Sequence, residues 1–408
     1  MSTGPGGSEM VVSTVSSEVT ATVLATLKGR RTPVASMQPR DLSAHVPYEA
    51  GRGIEEVARD LGMDPDDLVK LASNENPFGP PERAVEAIQR AARSASSYPK
   101  AAHTDLTDAL AARHGVDASQ VWLANGGDGA LDYLARAAIE PDDDVLVPDP
   151  GFAYYEMSAR YHHGSVNRYD LTRPEFEQDA DVVCSQYDGE RVVYLTSPHN
   201  PTGSVFSLDA VVEIADRTDE ETLVVVDEAY AEYADITSSV SLLDGDGADE
   251  HAFDEREDVA VLRTFSKAFG LAGVRLGYAV VPEDWGEAYA RVNTPFAASE
   301  LACRAGLAAL DADAHVAKSV DTARWAREYV RDEVDAHVWE SQGNFVLVDV
   351  SEARGPESAS AVADELQERG VIVRDCTSFG LPGCIRITCG TEPQTERVVD
   401  AINEVLAG

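Results

Sequence analysis

The segment "RTFSKAFGLAGVRLGY" sets a primary amine (Lys267), a hydroxyl (Ser266) and a guanidinium (Arg275) among small residues, directly after the apolar run 259–262. A lysine leaving such a strand can be held neutral by desolvation and neighbouring cations, the state that Schiff-base chemistry requires. Ser266 can donate to a phosphate oxygen, and Arg275 can neutralise that phosphate through its planar fork. Most lysines are solvated surface groups, and that alternative gives way only because other motifs accompany this one. Upstream, "LVVVDEAY" ends a fully apolar run on Asp227, with Tyr230 close behind. A carboxylate there needs a partner, because burying it unpaired is costly. A protonated pyridine nitrogen is such a partner, and the ion pair keeps the ring an electron sink. Tyr230 can then bond a ring oxygen. In isolation, Asp227 reads more simply as a helix cap.

Three further strand ends carry candidates. "YLTSPHNPTG" follows the run 192–195, and its Asn200 is either plain turn chemistry or an amide donor to a phenolic oxygen. "VWLANGGDGALDYLARA" reads as strand, glycine turn and helix, so Gly126, Gly127 and Asp128 would bring backbone N–H groups to a phosphate. A glycine turn before a helix is weak by itself, and the dinucleotide fingerprint G-x-G-x-x-G is absent here. "PDPGFAYY" offers Phe152 either as a ring to stack on a flat cofactor or as core packing. Tyr98 in "SSYPK" is a phosphate donor from a loop or a surface tyrosine. Near the other end, Arg386 in "CIRITCG" sits mid-strand among apolar residues, where it needs an anion: a substrate carboxylate or phosphate, or a structural salt bridge. Arg374 in "GVIVRDC" and Tyr48 in "HVPYEAG" are similar, weaker candidates.

The elements that must position these residues are legible from pattern. Between residues 80 and 296, helical stretches such as "ERAVEAIQRAARS" and "LDAVVEIADR" alternate with short, continuous Val- and Leu-rich runs. Such runs mark strands buried on both faces of a mostly parallel sheet, where functional residues gather at the carboxyl ends. From 297 to 408 long helices are followed by short strands and a closing helix, a smaller α+β domain. Residues 37–79 read as an arm with one helix, "GIEEVARDLG", packing with the small domain. Residues 1–36, rich in Ser, Thr, Val and Gly without a period, read as a disordered extension, with Met37 as a candidate start.

Composition narrows the class. The chain of 408 residues is 44 % hydrophobic, enough for a substantial core. No apolar run approaches the roughly 20 residues of a membrane span, and no basic-then-apolar leader opens the chain. With 72 acidic against 33 basic residues, the net charge is −39. That surface repels nucleic acid. The acids are scattered rather than gathered in one patch, which suits adaptation to very high salt, where screening over roughly 3 Å at 1 M makes self-repulsion tolerable. Five cysteines without C-x-x-C spacing argue against a disulfide framework or a zinc site and for a reducing cytoplasm.

Taken in order, "SPHNPTG", "VVVDEAY" and "TFSKAFGLAGVRLGY" resemble the fold-type I aminotransferases that use pyridoxal phosphate, and the resemblance runs from about Asp41 to Gly408. "VPYEAGRGIEEVARDLG", "KLASNENPFGPP", "GVIVRDCTSFG" and "IRITCGTEPQTERVVDAI" are similar to the histidinol-phosphate aminotransferase family within it. The resemblance implies an α/β fold, with a mostly parallel sheet sandwiched by helices and a smaller α+β domain. It makes Lys267 the cofactor-bearing lysine and proton shuttle, and Asp227 the pyridinium partner. Tyr230 and Asn200 would bond the ring hydroxyl, and Phe152 would stack on the ring. Gly127, Asp128, Ser266 and Arg275 would form the phosphate cup, with Tyr98 supplied by the other subunit of a homodimer. Arg386, Arg374 and Tyr48 would bind the anionic groups of histidinol phosphate and of glutamate or 2-oxoglutarate. The chain departs from the family at Gly129 (often acidic), Phe152 (more often Tyr) and Gly343 (usually Ala). An aromatic or broad-range aminotransferase, or a threonine-phosphate decarboxylase, fits the same frame. A non-enzymatic regulator that binds the cofactor is a remoter alternative.

Overall fold

The computed structural model describes residues 37–43, 45, 53–100, 103–244, 253 and 255–408. The expected extension 1–36, the candidate Tyr48 and the acidic stretch 245–252 lie outside them. The chain divides into two units, Met1–His45 and Val46–Gly408. In the first, a turn is closed by the Ser43 N–H donating to the Asp41 carboxylate (2.9 Å) and by His45 N–H to the Leu42 carbonyl (2.9 Å).

In the second unit, a two-residue strand β1 (Val69–Lys70) precedes seven strands that share one sheet. These are β2 (Val121–Ala124), β3 (Asp144–Asp149), β4 (Ser165–Asp170), β5 (Val192–Thr196), β6 (Leu223–Asp227), β7 (Val259–Thr264) and β8 (Gly277–Val280). Their order is β2-β8-β7-β6-β5-β3-β4. Only β8 runs antiparallel to its neighbours; β7, β6, β5, β3 and β4 are parallel.

The continuous apolar runs have a simple cause. Side chains alternate across a strand, and here both faces are covered. Val193, Leu195, Val224, Val226, Val259 and Val261 enter one core cluster, while Val192, Tyr194, Leu223, Val225, Ala260 and Leu262 enter the other. Helices Thr104–His114, Leu208–Arg217 and Glu300–Leu310 cover the first face, and Gly126–Ala138 and Ala153–Tyr161 the second. Each fully buried Val or Leu contributes about 1.5–3 kcal/mol, and an unpartnered polar group in its place would be costly.

A second, four-stranded sheet comes from the C-terminal part: β9 (His337–Val338), β10 (Phe345–Asp349), β12 (Arg374–Asp375) and β13 (Cys384–Thr388), in the order β12-β13-β10-β9, all antiparallel. The stretch "VIVRD" is divided between two strands. Val371–Ile372 forms β11, pairing in parallel with β1, and the chain then crosses to β12 in the other sheet. Strand β4 has no counterpart among the sequence candidates. It is the sheet edge, largely exposed, and its "SVNRYD" carries no apolar run to reveal it.

Candidate functional site

The carboxyl ends of the parallel strands open into a cavity of about 630 Å³. Eleven of the sequence candidates line it: Lys267, Asp227, Tyr230, Gly127, Asp128, Phe152, Asn200, Ser266, Arg275, Arg374 and Arg386. Tyr98 does not. It is 84 % exposed and stacks on Phe296, ring centroids 5.0 Å apart.

Asp227 is the last residue of β6 and continues the inward face set by Leu223 and Val225. Its carboxylate accepts from the Tyr155 hydroxyl (2.7 Å) and from the Ala229 N–H (3.0 Å). Both donors are neutral, so the charge is hydrogen-bonded but not neutralised by them. Burial therefore pushes its pKa up to about 6. Tyr155 is itself anchored to Thr196, the residue register-paired with Asp227 on β5 (2.8 Å).

Lys267 lies three residues past the end of β7, with its amine 5.3 Å from the centre of the Tyr230 ring. Tyr230 packs edge-on against the fully buried Phe345 (centroids 5.0 Å). At Gly343 a Cβ would stand 2.6 Å from the Phe345 ring, so an alanine there would require that ring to shift.

The glycine turn brings a helix N-terminus and a guanidinium together. Gly126, Gly127 and Asp128 open the helix Gly126–Ala138, whose first N–H groups have no partner within the helix and present partial positive charge. Gly126 adopts φ +78°, and a Cβ on it would collide with the Arg275 guanidinium. Glycine thus lets Arg275 lie over the helix end. Arg275 also pairs with Asp128 (3.0 Å). Gly129 has room: a Cβ there meets Ala124 at an ordinary 3.4 Å.

The arginines read from sequence as two separate signals are cross-strand partners, Arg374 on β12 opposite Arg386 on β13. Like charges directly opposite are unfavourable unless an anion lies between or beside them. Both guanidiniums flank the Phe379 ring, at 5.7 and 5.9 Å. Arg386, 5 % exposed, donates to the Asn200 side-chain oxygen and to the Ala72 carbonyl (2.8 Å). A guanidinium has no acceptor, so the Asn200 oxygen must face it and the Asn200 NH₂ is left to donate elsewhere.

Several participants carry no sequence signal that pattern reading uses. Tyr155 and Thr196 are one pair. His199 is another: its Nε2 lies 2.9 Å from the Pro150 carbonyl and so must carry the proton, while Nδ1 accepts from Thr202 (2.8 Å). This ties the Asn200 loop to the segment leading to Phe152. Asn76 donates to the Ala268 carbonyl (2.9 Å) and to Ser319 (2.8 Å), bracing the chain just after Lys267. Asn74 reaches Tyr230. Among the described residues no group of His, Cys, Asp and Glu is arranged to hold a metal ion.

A buried carboxylate, an amine three residues past a strand end and a guanidinium beside a helix N-terminus thus line one cavity. Residues 66–402 match the family model for aminotransferase class I and II, and the chain belongs to that family. Within it the chain groups with the histidinol-phosphate aminotransferases. It is 65 % identical to those of Haloarcula marismortui and Natronomonas pharaonis, over 91 % of this chain and 99 % and 100 % of theirs. The crystal structure of the histidinol-phosphate aminotransferase from Sinorhizobium meliloti in complex with pyridoxal-5'-phosphate superposes with a TM-score of 0.78 at 26 % identity, covering 91 % of this chain and 99 % of that one.

Proposed function

We infer that this chain transfers the amino group of histidinol phosphate to 2-oxoglutarate, yielding imidazole-acetol phosphate and glutamate, with pyridoxal phosphate as its cofactor. The observation that carries the substrate reading is the facing pair Arg374 and Arg386 in the same cavity as Lys267 and Asp227. Two guanidiniums with bidentate reach suit a phosphate dianion and still accept the single carboxylate of the second substrate. The 65 % identity to curated histidinol-phosphate aminotransferases supports the same assignment.

The residues fit the cofactor. Asp227 would hold the ring nitrogen's proton, and Phe152 would cover a ring face. The helix N–H groups of Gly127 and Asp128, with Ser266 and Arg275, would hold the phosphate. When bound, pyridoxal phosphate supplies the electron sink that makes the substrate carbon acidic. The Lys267 amine, on the turn that follows β7, would take that proton and return it as a general base. Asn200 and Tyr230 would donate to the ring oxygen, and Arg386, which fixes the Asn200 amide, would orient the substrate anion. The cavity walls of Phe152, Tyr154 and Phe379 keep water from the reacting atoms.

The same reading makes the enzyme a homodimer, in which the exposed Tyr98 of each chain serves the other's phosphate site. Five free cysteines suit a cytoplasmic enzyme, and no helix among the described residues is long and apolar enough to cross a membrane. We keep the division into an arm (37–79), a cofactor domain (80–296) and a small domain (297–408) as part of this proposal. Purified enzyme assayed with histidinol phosphate, phenylalanine and threonine phosphate tests it. Preference for histidinol phosphate is expected; preference for phenylalanine, or release of CO₂ from threonine phosphate, would overturn the substrate assignment.

A further inference from the structure

We propose that Asn74 is a positioning residue that fixes the direction of the Tyr230 hydroxyl proton, turning it into the cofactor cavity. The proposal rests on the pyridoxal phosphate reading above. It follows from counting donors and acceptors along a buried chain of three side chains.

Asn74 belongs to "ASNENPFG", a motif that the reaction as described leaves unused. It is 1 % exposed and sits at φ +53°, a left-handed conformation that asparagine tolerates better than most residues. Its backbone N–H donates to the Thr388 hydroxyl oxygen (2.9 Å). The Thr388 proton is then free to donate, and it goes to the Asn74 side-chain oxygen (3.2 Å). That bond settles which end of the amide faces which way. The Asn74 NH₂ must point the other way, and it lies 3.0 Å from the Tyr230 hydroxyl oxygen. An amide NH₂ only donates, so the Tyr230 oxygen is the acceptor in this bond. The single Tyr230 proton is left for a second partner. Tyr230 lines the cavity, with the Lys267 amine over its ring. Its proton therefore serves the ring oxygen of the cofactor.

Without the amide, the Tyr230 hydroxyl loses its fixed donor and divides its proton among other acceptors. A donor to the ring oxygen stabilises that oxygen's charge and lowers the pH at which the bound cofactor's visible band titrates. Hence Asn74→Gly, which keeps the left-handed backbone and deletes only the amide, should raise that midpoint. The expected rise is about 0.5 to 1 pH unit, part of one hydrogen bond to an ionised oxygen. Thr388→Val removes the group that orients the amide and should shift the midpoint the same way, giving a second test if the glycine variant folds poorly. In a Tyr230→Phe background neither change should move the midpoint further, because residues acting through one group are not additive.

The experiment is a spectrophotometric pH titration of wild-type, single and double variants as holoenzymes, with melting temperature and cofactor affinity measured alongside. Midpoint shifts that vanish in the Tyr230→Phe background support the proposal. Lower melting temperature or weaker cofactor binding with an unmoved midpoint would reduce Asn74 to a structural brace and overturn it. So would shifts that persist undiminished without the Tyr230 hydroxyl. A wild-type protein with no titrating visible band would instead overturn the cofactor reading on which the proposal stands.

Discussion

Asp227→Asn separates stability from catalysis more sharply than any other substitution at this site. Asparagine keeps the shape and both hydrogen bonds: its oxygen can accept from the Ala229 N–H, and its amide end can face the Tyr155 oxygen. What it removes is a buried charge. The rise of the Asp227 pKa from 3.8 to about 6 means that the ionised form carries a burial penalty of about 3 kcal/mol in the chain without cofactor. The sign follows from proton counting. Between pH 3.8 and about 6 the folded chain binds more protons here than the unfolded chain. Its stability therefore falls as pH rises through that window and stays low above it. The asparagine variant lacks this loss. In urea unfolding of the cofactor-free protein at high salt, variant and wild type should agree near pH 4. By pH 7 the variant should be more stable by up to about 3 kcal/mol. Turnover should move the other way. Loss of a buried ion pair to the ring nitrogen costs about 3–5 kcal/mol, or roughly 10²- to 10⁴-fold in rate. A variant that is less stable at pH 7 would refute the burial penalty on Asp227, and one that retains near-normal turnover would refute Asp227 as the ring-nitrogen partner.

Four further outcomes are expected. Arg386→Lys should lower kcat/KM by about 10²-fold or more by steady-state assay, because a point charge cannot bond Asn200 and a substrate anion in the fork geometry; Arg374→Ala should raise KM for histidinol phosphate more than for glutamate. The buried, neutral His199 has its pKa lowered to about 4 by burial, so the folded chain resists a proton that the unfolded chain takes up near 6.5. Its contribution to stability is full above that pH and is lost as pH falls toward 4, about 3 kcal/mol in all; His199→Gln should flatten this part of the pH–stability curve. Among the described residues the only buried carboxylates are Glu190, Asp227 and Glu228, which leaves the acidic excess on the surface. Dilution from molar salt into low-salt buffer should then lower the melting temperature, and unchanged stability there would sink the salt-adaptation reading.

Much of this was legible because strands buried on both faces leave unbroken apolar runs. The ends of β5, β6 and β7 could be read to within a residue or two, and with them Asn200, Asp227 and Lys267. Residues visible from sequence are those whose role follows from their immediate neighbours. Asn74, Tyr155 and His199 do not meet that condition. Asn74 meets Tyr230 across 156 residues, and Tyr155 meets Asp227 across 72. Nothing local marks either contact. The edge strand β4 escaped for a related reason: with one flank open to solvent it needs no apolar pattern. The pairing of Arg374 with Arg386 was likewise hidden, since strand register is set by the whole sheet rather than by either strand.

The central claim is that Lys267 carries pyridoxal phosphate, and a visible absorbance scan of the protein supplemented with that cofactor tests it most directly. A conjugated imine at Lys267 should give a yellow band that borohydride abolishes and that Lys267→Ala never shows. A supplemented wild-type protein without the band, or a Lys267→Ala variant that keeps it through borohydride treatment, would contradict the account.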